Sequence, residues 1–455
     1  MNGAVDLPLT LADLTFTAAG DALVRRTVLP SGVRILSERV PGARSATIGF
    51  WVTVGSRDEH TVPGASGAAA ASFGSTHFLE HLLFKGTTSR SALDIAVAFD
   101  AVGGENNALT AKEHTCYYAK VQDRDLPMAV EVIADMLTSS VLDPEDFENE
   151  RQVILEELSM AEDDPADAAG ERFFEAVFGS HPLGRPIGGD PQTIRGAARD
   201  AVWLHYQANY RPEELVVTAA GAVDHDLLVV GVERALRGAG WDLDRQAPPV
   251  PRRSSEPARI QRGAASVLVS RPIEQVNLMM GVPAIVATDE RRATMGVLNS
   301  ILGGGMSSRL FQEVRERRGL AYSVYSFASA YSDAGVFGMF AGCTPAKAGQ
   351  VAELMLDELR AVADRGVSAL EVQRAVGQLS GASALALEDS DARMSRLGRS
   401  EIALGEFTDL DENLRRLSSI APADVQELAR ELVARPVSLA AVGSVDDDTF
   451  AAITS

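Results

Sequence analysis

The chain has 455 residues, which is longer than one ordinary domain and therefore predicts two or three domains. Its 46% hydrophobic and 23% charged residues are ordinary values for a globular protein and exclude a disordered chain. The 42 basic and 63 acidic side chains give a net charge of −21, which repels nucleic acid and anionic membrane surfaces, so neither is an expected partner.

Cysteine usage and the first residues of the chain indicate where the protein works. Cys116 and Cys343 are the only cysteines, which excludes a disulfide framework and fits a reducing compartment. No Lys or Arg precedes Arg25, unlike a secretory leader or a transit peptide. The apolar runs are all shorter than the roughly 20 residues of a membrane-spanning helix. We therefore expect a cytoplasmic protein.

Alternating and helical hydrophobic patterns are mixed along the chain. They predict strands over 33–40 and 46–56, and helices over 92–101, 126–138 and 348–363. Because strands and helices do not alternate strictly, an α+β fold is favoured, with helices on one face of a mainly antiparallel sheet. Residues 61–75 are rich in Gly, Ala and Ser, a composition typical of a flexible loop.

A proline-rich stretch at 246–257 interrupts the periodicity near the middle of the chain and is typical of a linker. A similar phrase stands on either side of it, LVVTAAGAVD at 215–224 and SLAAVGSVDD at 438–447, each shortly after Arg-Pro. The repeat indicates two tandem homologous domains. The boundaries that we predict are an N-terminal segment 1–26, a first domain 27–243, a linker 244–258 and a second domain 259–455.

The pentapeptide HFLEH at 77–81 is the most informative motif. Ser75 or Thr76 can cap a helix here that runs to Gly86. On such a helix His77 and His81 lie about 40° apart, so both imidazoles can bind one tetrahedral metal ion. Glu80 lies beside them, where a general base can reach the attacking water. This is the HxxEH pattern of zinc peptidases. The alternative is a solvated helix face that happens to carry these residues.

A catalytic zinc site needs a third protein ligand, and residues 143–158 supply candidates. Asp143 as a cap, Pro144 at the first position and a stop at Asp164-Pro165 predict a helix. Its apolar stripe is formed by Phe147, Ile154 and Leu158. Glu150 and Glu157 border this stripe, whereas Glu156 points to water.

We interpret Glu157 as the third ligand and Glu150 as an acid that orients an imidazole. The alternative is that both acids belong to an amphipathic helix and simply reach solvent. All seven histidines precede residue 226, so the second repeat cannot hold a histidine site.

These motifs resemble those of the pitrilysin-type (M16) zinc metallopeptidases, in particular the short branch that includes mitochondrial processing peptidase and bacterial relatives. The resemblance extends over nearly the whole chain and is carried by HFLEHLLFKGT (77–87), GGENNALTAKEHTCYY (103–118), ERQVILEEL (150–158), HPLGRPIGG (181–189) and GGGMSSRLFQEVRERRGLAYSVYS (303–326). It implies two domains that form half of a clamshell, and one Zn²⁺ per chain held by His77, His81 and Glu157. Glu80 is then the base and Glu150 the supporting acid.

The resemblance also implies how substrate is bound. A peptide would add as a strand to the sheet edge at Asn107 and Ala108, and Arg315 and Tyr322 would stabilise the bound substrate and its oxyanion. Asn107 has an equally good interpretation as a turn residue.

The function predicted from the sequence is a zinc endopeptidase. It would cleave unfolded peptides or presequence-like segments in a chamber formed by a homodimer or by a heterodimer with a paralogue. A non-catalytic partner subunit and a peptide-binding protein of the same fold are the alternatives.

Overall fold

The structure is a computed structural model that describes residues 3–59, 62–63, 69–70 and 73–454. The strands are β1 (Ala4–Asp6), β2 (Asp13–Ala18), β3 (Ala22–Val28), β4 (Arg34–Arg39), β5 (Ser45–Val52), β6 (Val62–Pro63), β7 (Ala69–Ala70), β8 (Glu105–Thr110), β9 (Thr115–Gln122), β10 (Leu215–Gly221), β11 (Ser266–Ser270), β12 (Val276–Ala284), β13 (Ala321–Ala330), β14 (Gly335–Cys343), β15 (Glu406–Thr408) and β16 (Ser438–Gly443).

The α-helices of the described residues vary from one turn to five. They are α1 (Ser75–Leu83), α2 (Ala92–Asp100), α3 (Leu126–Ser139), α4 (Pro144–Asp163), α5 (Pro165–Phe178), α6 (Pro191–Gly196), α7 (Arg199–Asn209), α8 (His225–Gly238), α9 (Arg292–Gly303), α10 (Ala348–Arg365), α11 (Ala369–Ala386), α12 (Ser390–Arg399), α13 (Leu410–Ser418), α14 (Pro422–Val433) and α15 (Ala451–Thr454). Two short π-helical turns occur at Phe311–Glu316 and Ser400–Leu404.

Within the part of the chain that the structure describes, the larger sheet has seven strands in the order β2-β3-β4-β10-β5-β9-β8. Its neighbouring strands are antiparallel except for β10 and β4, which run parallel with Val216 opposite Arg34. Among the described residues, β9 is the only strand that pairs with β8, so β8 is an edge strand of this sheet. Its other edge presents backbone groups that the sheet does not use.

The second sheet repeats the same connection with five strands, in the order β11-β16-β12-β14-β13. Strand β16 runs parallel to β11 and antiparallel to β12, as β10 does between β4 and β5. Strands β10 and β16 are the two copies of the phrase that recurs in the sequence. The fold is therefore α+β with two homologous sheet-and-helix repeats, as the sequence predicts.

Residues that contact each other divide the chain into two compact units. The first unit contains Met1–Leu158, Pro186–Arg252 and Ala384–Glu412, and the second contains Ser159–Arg185, Arg253–Ser383 and Asn413–Ser455. The first unit thus includes 384–412 from the second half of the sequence, and the second unit includes 159–185 from the first half. We call these two stretches the exchanged segments. The change of unit at Arg252 lies within the predicted linker 244–258, and the domain boundaries named above stay a prediction.

In the first unit, the two faces of the sheet are covered by different parts of the chain. One face packs against α1, α3 and α8 around a core that includes Phe50 and Ile133. The other face receives α12 from the exchanged segment. There the buried carboxylate of Glu38 accepts hydrogen bonds from Arg396 at 2.8 and 2.9 Å. The exchanged helix thus adds a layer that the sequence pattern does not predict.

In the second unit, α5 from the other exchanged segment packs on β12 and β16. Phe173 on this helix is fully buried and meets Phe327 edge-to-face at 6.0 Å. The opposite face packs against α9, α10 and α14.

Most predicted elements occur with ends that differ by only a few residues. The predicted helices correspond to α2, α3 and α10, and the predicted strands to β4 and β5. The predicted loop 61–75 includes residues 61, 64–68, 71 and 72, which lie outside the described residues. Within the described part of the chain, none of the helices has the length and hydropathy needed to cross a membrane.

Candidate metal centre

Helix α1 places the HxxEH motif on the core of the first unit. Its residues Phe78, Leu79, Leu82 and Leu83 are all buried. This spacing leaves His77 and His81, one turn apart, on the half-buried side of the helix. Hydrophobic anchoring therefore fixes the direction in which the two imidazoles point.

The start of α1 differs from the sequence prediction. The N-cap position is Gly74, at φ 91°, where a residue with a Cβ is strained, and neither Ser75 nor Thr76 caps the helix. Glu59 caps it from a distance, because its carboxylate accepts hydrogen bonds from the backbone amides of Gly74 and Thr76, both at 2.8 Å. Glu59 is only 3% exposed. The helix ends at Leu83 rather than at Gly86.

Helix α4 carries the acidic residues and has the predicted start. The Asp143 carboxylate accepts a hydrogen bond from the amide of Glu145 at 2.8 Å, and Pro144 is the first helical residue. Phe147 is buried and stacks on Phe78 of α1, with ring centroids 4.3 Å apart and planes 5° from parallel. This aromatic contact holds α4 beside α1.

The packing brings His77, His81 and Glu157 together. The two Nε2 atoms are 3.3 Å apart, and Glu157 Oε2 lies 3.6 Å from Nε2 of His77 and 3.4 Å from Nε2 of His81. A tetrahedral zinc ion with ligand bonds of about 2.1 Å has its ligand atoms about 3.4 Å apart. The three atoms therefore fit one triangular face of a zinc coordination sphere, and they form a cluster that can hold a metal ion.

The electrostatics of the cluster favour metal binding. Burial, with a further contribution from His81, lowers the pKa of His77 below its usual value, whereas the charges of Glu157 and Glu80 oppose this. A lowered pKa keeps the imidazole neutral, which is the form that binds a metal. Glu157 is half exposed and supplies the negative charge of the cluster.

Glu150 is buried behind His81, as the sequence interpretation requires of an orienting acid. Its Oε2 accepts a hydrogen bond from Nδ1 of His81 at 3.0 Å, which leaves Nε2 of the same ring directed at Glu157. Its Oε1 lies 2.6 Å from the ammonium of Lys85. The sequence analysis did not identify Lys85, although it stands four residues after His81 and belongs to the same motif.

Glu80 lies on α1 between the two histidines and is half-buried. The hydroxyls of Tyr117 and Tyr210, which are buried in the core, are hydrogen-bonded to each other at 3.0 Å. Burial, with the charge of Glu80 among the lesser causes, raises the pKa of both tyrosines, so they stay neutral.

The predicted substrate strand is β8. Asn107 on it is exposed, and its Oδ1 accepts a hydrogen bond from the amide of Ala108 at 2.8 Å. Ala108 is half-buried against the core that α1 shares, and α1 packs on β8. The edge of the sheet therefore adjoins the helix that carries both histidines.

Arg315 and Tyr322 lie in the second unit and contact each other. The guanidinium of Arg315 lies 4.3 Å from the centroid of the Tyr322 ring and 4.7 Å from that of Phe311, which are cation–π distances. Tyr322 is 77% exposed. The exposed phenol of Tyr322 at the start of β13 thus packs against the half-buried guanidinium of Arg315.

Two family profiles match the chain. The profile described as Insulinase (Peptidase family M16) matches residues 34–191, and the profile described as Peptidase M16 inactive domain matches residues 197–379. The chain therefore belongs to peptidase family M16.

Curated relatives are similar over nearly their whole length. An uncharacterized zinc protease of Streptomyces coelicolor is 49% identical over 94% of this chain and 91% of its own. One of Mycobacterium tuberculosis is 46% identical over 92% and 93%, and one of Bacillus subtilis is 35% identical over 92% and 98%.

Solved structures share the fold. A peptidase M16 inactive-domain protein from Pseudomonas fluorescens has a TM-score of 0.79 at 18% identity and covers 96% of this chain and 99% of its own. A protease from Helicobacter pylori has a TM-score of 0.80 at 20% identity, with 94% and 100% covered. At such identities these structures show the fold alone.

Proposed function

We propose that this chain is a zinc-dependent endopeptidase with one Zn²⁺ held by His77, His81 and Glu157. The observation that carries the proposal is the set of distances of 3.3, 3.4 and 3.6 Å between the three ligand atoms. Membership of family M16 and relatives named as zinc proteases support a protease-type activity.

The residues of the site have separate roles in this proposal. When bound, zinc acts as a Lewis acid toward the scissile carbonyl and the attacking water. The carboxylate of Glu80 takes a proton from the attacking water and returns it to the leaving amine. Glu150 keeps the ring of His81 in place through Nδ1.

Substrate would bind as an added strand along β8. The unused edge of this strand can pair with an extended peptide backbone, and Asn107 and Ala108 lie on it. Main-chain recognition of this kind suits unfolded peptides and presequence-like segments, because their backbone groups are not already paired in secondary structure.

Arg315 and Tyr322 would bind the substrate carbonyl and its developing oxyanion. In longer members of the resembled family, four such repeats close one chamber, with zinc in the first repeat and the Arg and Tyr pair in the fourth. This chain has two repeats, so we propose that two copies, or this chain and a paralogue, complete the chamber. A cytoplasmic location is part of the same proposal.

Two other functions compete with peptidase activity. A non-catalytic partner subunit of this fold would not need a base beside two histidines and a carboxylate, and this chain has all four residues. A peptide-binding protein would hold zinc without turnover. The presence of Glu80, which the ligand set does not require, favours the hydrolase.

Mass spectrometry of a mixed peptide pool tests the proposal. Purified protein should produce new peptide termini, a chelator should abolish them, and zinc should restore them. Intact peptides with zinc bound would instead indicate a binding protein. Intact peptides without bound zinc would indicate a partner subunit.

A further inference from the structure

Lys85 completes a row of side chains that face α4 from α1 and its C-terminal end. His77 and His81 lie one turn apart on α1, and Lys85 follows two residues after the helix ends at Leu83. Across from them, Glu157 meets the two histidines, and Glu150 meets His81 and Lys85. The cation thus pairs with the same acid of α4 that meets His81.

The backbone of Lys85 is fixed in place. Its amide donates a hydrogen bond to the carbonyl of Leu82 at 3.0 Å, and the next residue, Gly86, has φ 143° and pairs with Ser91. The amide of Val141 donates to the carbonyl of Gly86 at 3.3 Å. The ammonium therefore extends from an anchored point of the chain rather than from a free helix end.

Glu150 needs two partners because it is buried. Its side chain is 6% exposed, and an ionised carboxylate at this depth is costly without charge compensation and hydrogen bonds to both oxygens. An imidazole that binds zinc is neutral, so His81 as a ligand would satisfy one oxygen of Glu150 without supplying a charge. Lys85 satisfies the other oxygen at 2.6 Å and supplies the positive charge.

We propose that Lys85 is a positioning residue of the metal site, acting through Glu150 on His81. It holds the carboxylate in the orientation in which Oε2 accepts the hydrogen bond from Nδ1–H of His81. This hydrogen bond fixes the tautomer of the ring and the direction of the ligand atom Nε2. Residues that orient a metal ligand in this way typically change metal affinity by about 10–100-fold. The inference rests on the proposed zinc site.

The competing view is that Lys85 forms an ordinary surface ion pair. Its side chain is 35% exposed, and exposed pairs contribute little. Lys120 provides a matched control, because it lies in the same unit, is 33% exposed and pairs with Asp389 at 2.7 Å. The two ion pairs differ chiefly in the burial of the acid, since Glu150 is 6% exposed and Asp389 is 50% exposed.

The experiment is a double-mutant cycle on zinc affinity, measured by chelator competition on metal-free protein. Lys85→Met should weaken zinc binding about tenfold, Glu150→Gln by at least as much, and the double variant no more than Glu150→Gln alone. Lys85→Arg should restore most of the affinity, and Lys120→Met should leave it unchanged. The melting temperature of the metal-free Lys85→Met protein should fall below that of Lys120→Met, because only Lys85→Met leaves a buried carboxylate without its cation.

Two results would overturn the inference. One is a zinc affinity of Lys85→Met within twofold of the parent while Glu150→Gln is impaired. The other is a full additional loss when Lys85→Met is added to Glu150→Gln. If Lys85→Met does not fold, Lys85→Gln takes its place, because glutamine can donate a hydrogen bond but carries no charge. A parent protein that binds no zinc would refute the proposed function itself, which is a different outcome.

Discussion

Glu59 accepts a hydrogen bond from the backbone amide of Thr76 at 2.8 Å, in the first turn of the helix that carries both histidines. The acid is buried, and its negative charge lies at the N-terminal end of the helix, where the backbone dipoles favour an anion. The helix that carries His77 and His81 is therefore capped by an acid, Glu59, that lies 15 residues before its N-cap residue Gly74.

We expect Glu59→Ala to lower the free energy of unfolding by about 2 kcal/mol, because two amide donors lose their acceptor in a buried place. Glu156→Ala is the control, since Glu156 is exposed on α4 and its loss should cost less than about 0.5 kcal/mol. Urea unfolding of the metal-free proteins measures both. Equal stability of the two variants would show that Glu59 does not stabilise α1.

Glu80→Gln should retain zinc and lose hydrolysis. The amide keeps nearly the shape of the carboxylate but cannot accept the proton of the attacking water, so turnover should fall by about 10²–10⁴-fold. Zinc content and turnover must be measured on the same preparation. Turnover near the parental rate would remove Glu80 from the proposed mechanism.

Glu157→Gln and Glu156→Gln form a matched pair on neighbouring positions of α4. Glu157 Oε2 lies 3.4 Å from His81 Nε2, whereas Glu156 is exposed. After dialysis against a weak chelator, Glu157→Gln should lose most of its zinc, because an amide oxygen is a poorer zinc ligand than a carboxylate. Glu156→Gln should keep it. The reverse order in metal analysis would refute the ligand assignment.

His225 makes stability depend on pH away from the metal site. Burial, together with the charge of Arg25, lowers its pKa to about 4, while Asp13, Asp224 and Asp226 oppose this. In the unfolded chain, where the pKa of a histidine is about 6.5, His225 binds a proton more readily than in the folded protein. The contribution of neutral His225 to the free energy of unfolding is therefore fully present above pH ~6.5, and it decreases as the pH falls from there toward 4.

The contribution of His225 can be isolated with His225→Gln. The ring nitrogens lie 2.9 Å from Ser37 Oγ and 3.1 Å from Thr27 Oγ1, and glutamine keeps hydrogen-bonding capacity without titrating. Between pH 7 and pH 5 the free energy of unfolding of the parent should fall by on the order of 1 kcal/mol more than that of the variant. The difference stays this small because water screens part of the charge on His225. Parallel pH profiles of the two proteins would show that His225 does not titrate in this range.

The sequence predicts features that are encoded locally. Helix α4 was predictable because Asp143, Pro144 and the spacing of Phe147 and Ile154 all lie within a few residues of one another. The HxxEH motif is local for the same reason. Both predictions need only helical geometry.

The features that sequence analysis missed depend on contacts between distant parts of the chain. Glu59 caps α1 from 15 residues before Gly74, and Lys85 meets Glu150 across the same helix packing in which Phe78 stacks on Phe147. The exchange of α5 and α12 between the units also has no local signal, since an amphipathic helix does not specify which sheet it covers.

The last prediction concerns which subunit supplies Arg315 and Tyr322 to the proposed active site. If two copies complete one chamber, the zinc of one subunit faces this pair in the other, and a symmetric dimer has two equivalent sites. Glu80→Gln and Tyr322→Phe should each be nearly inactive alone. A heterodimer of the two variants then has one site with both residues intact and one site with neither.

Mixing the two variants should therefore restore activity, to about half of the parental rate per heterodimer if the sites are independent. Native mass spectrometry reports the extent of subunit exchange, and Lys120→Met mixed with Glu80→Gln calibrates the rate expected from a normal partner. If exchange is complete and the mixture stays as inactive as its components, both residues act within one chain. The chamber would then need no second copy to supply Tyr322, and the two repeats of a single chain would hold the whole catalytic set.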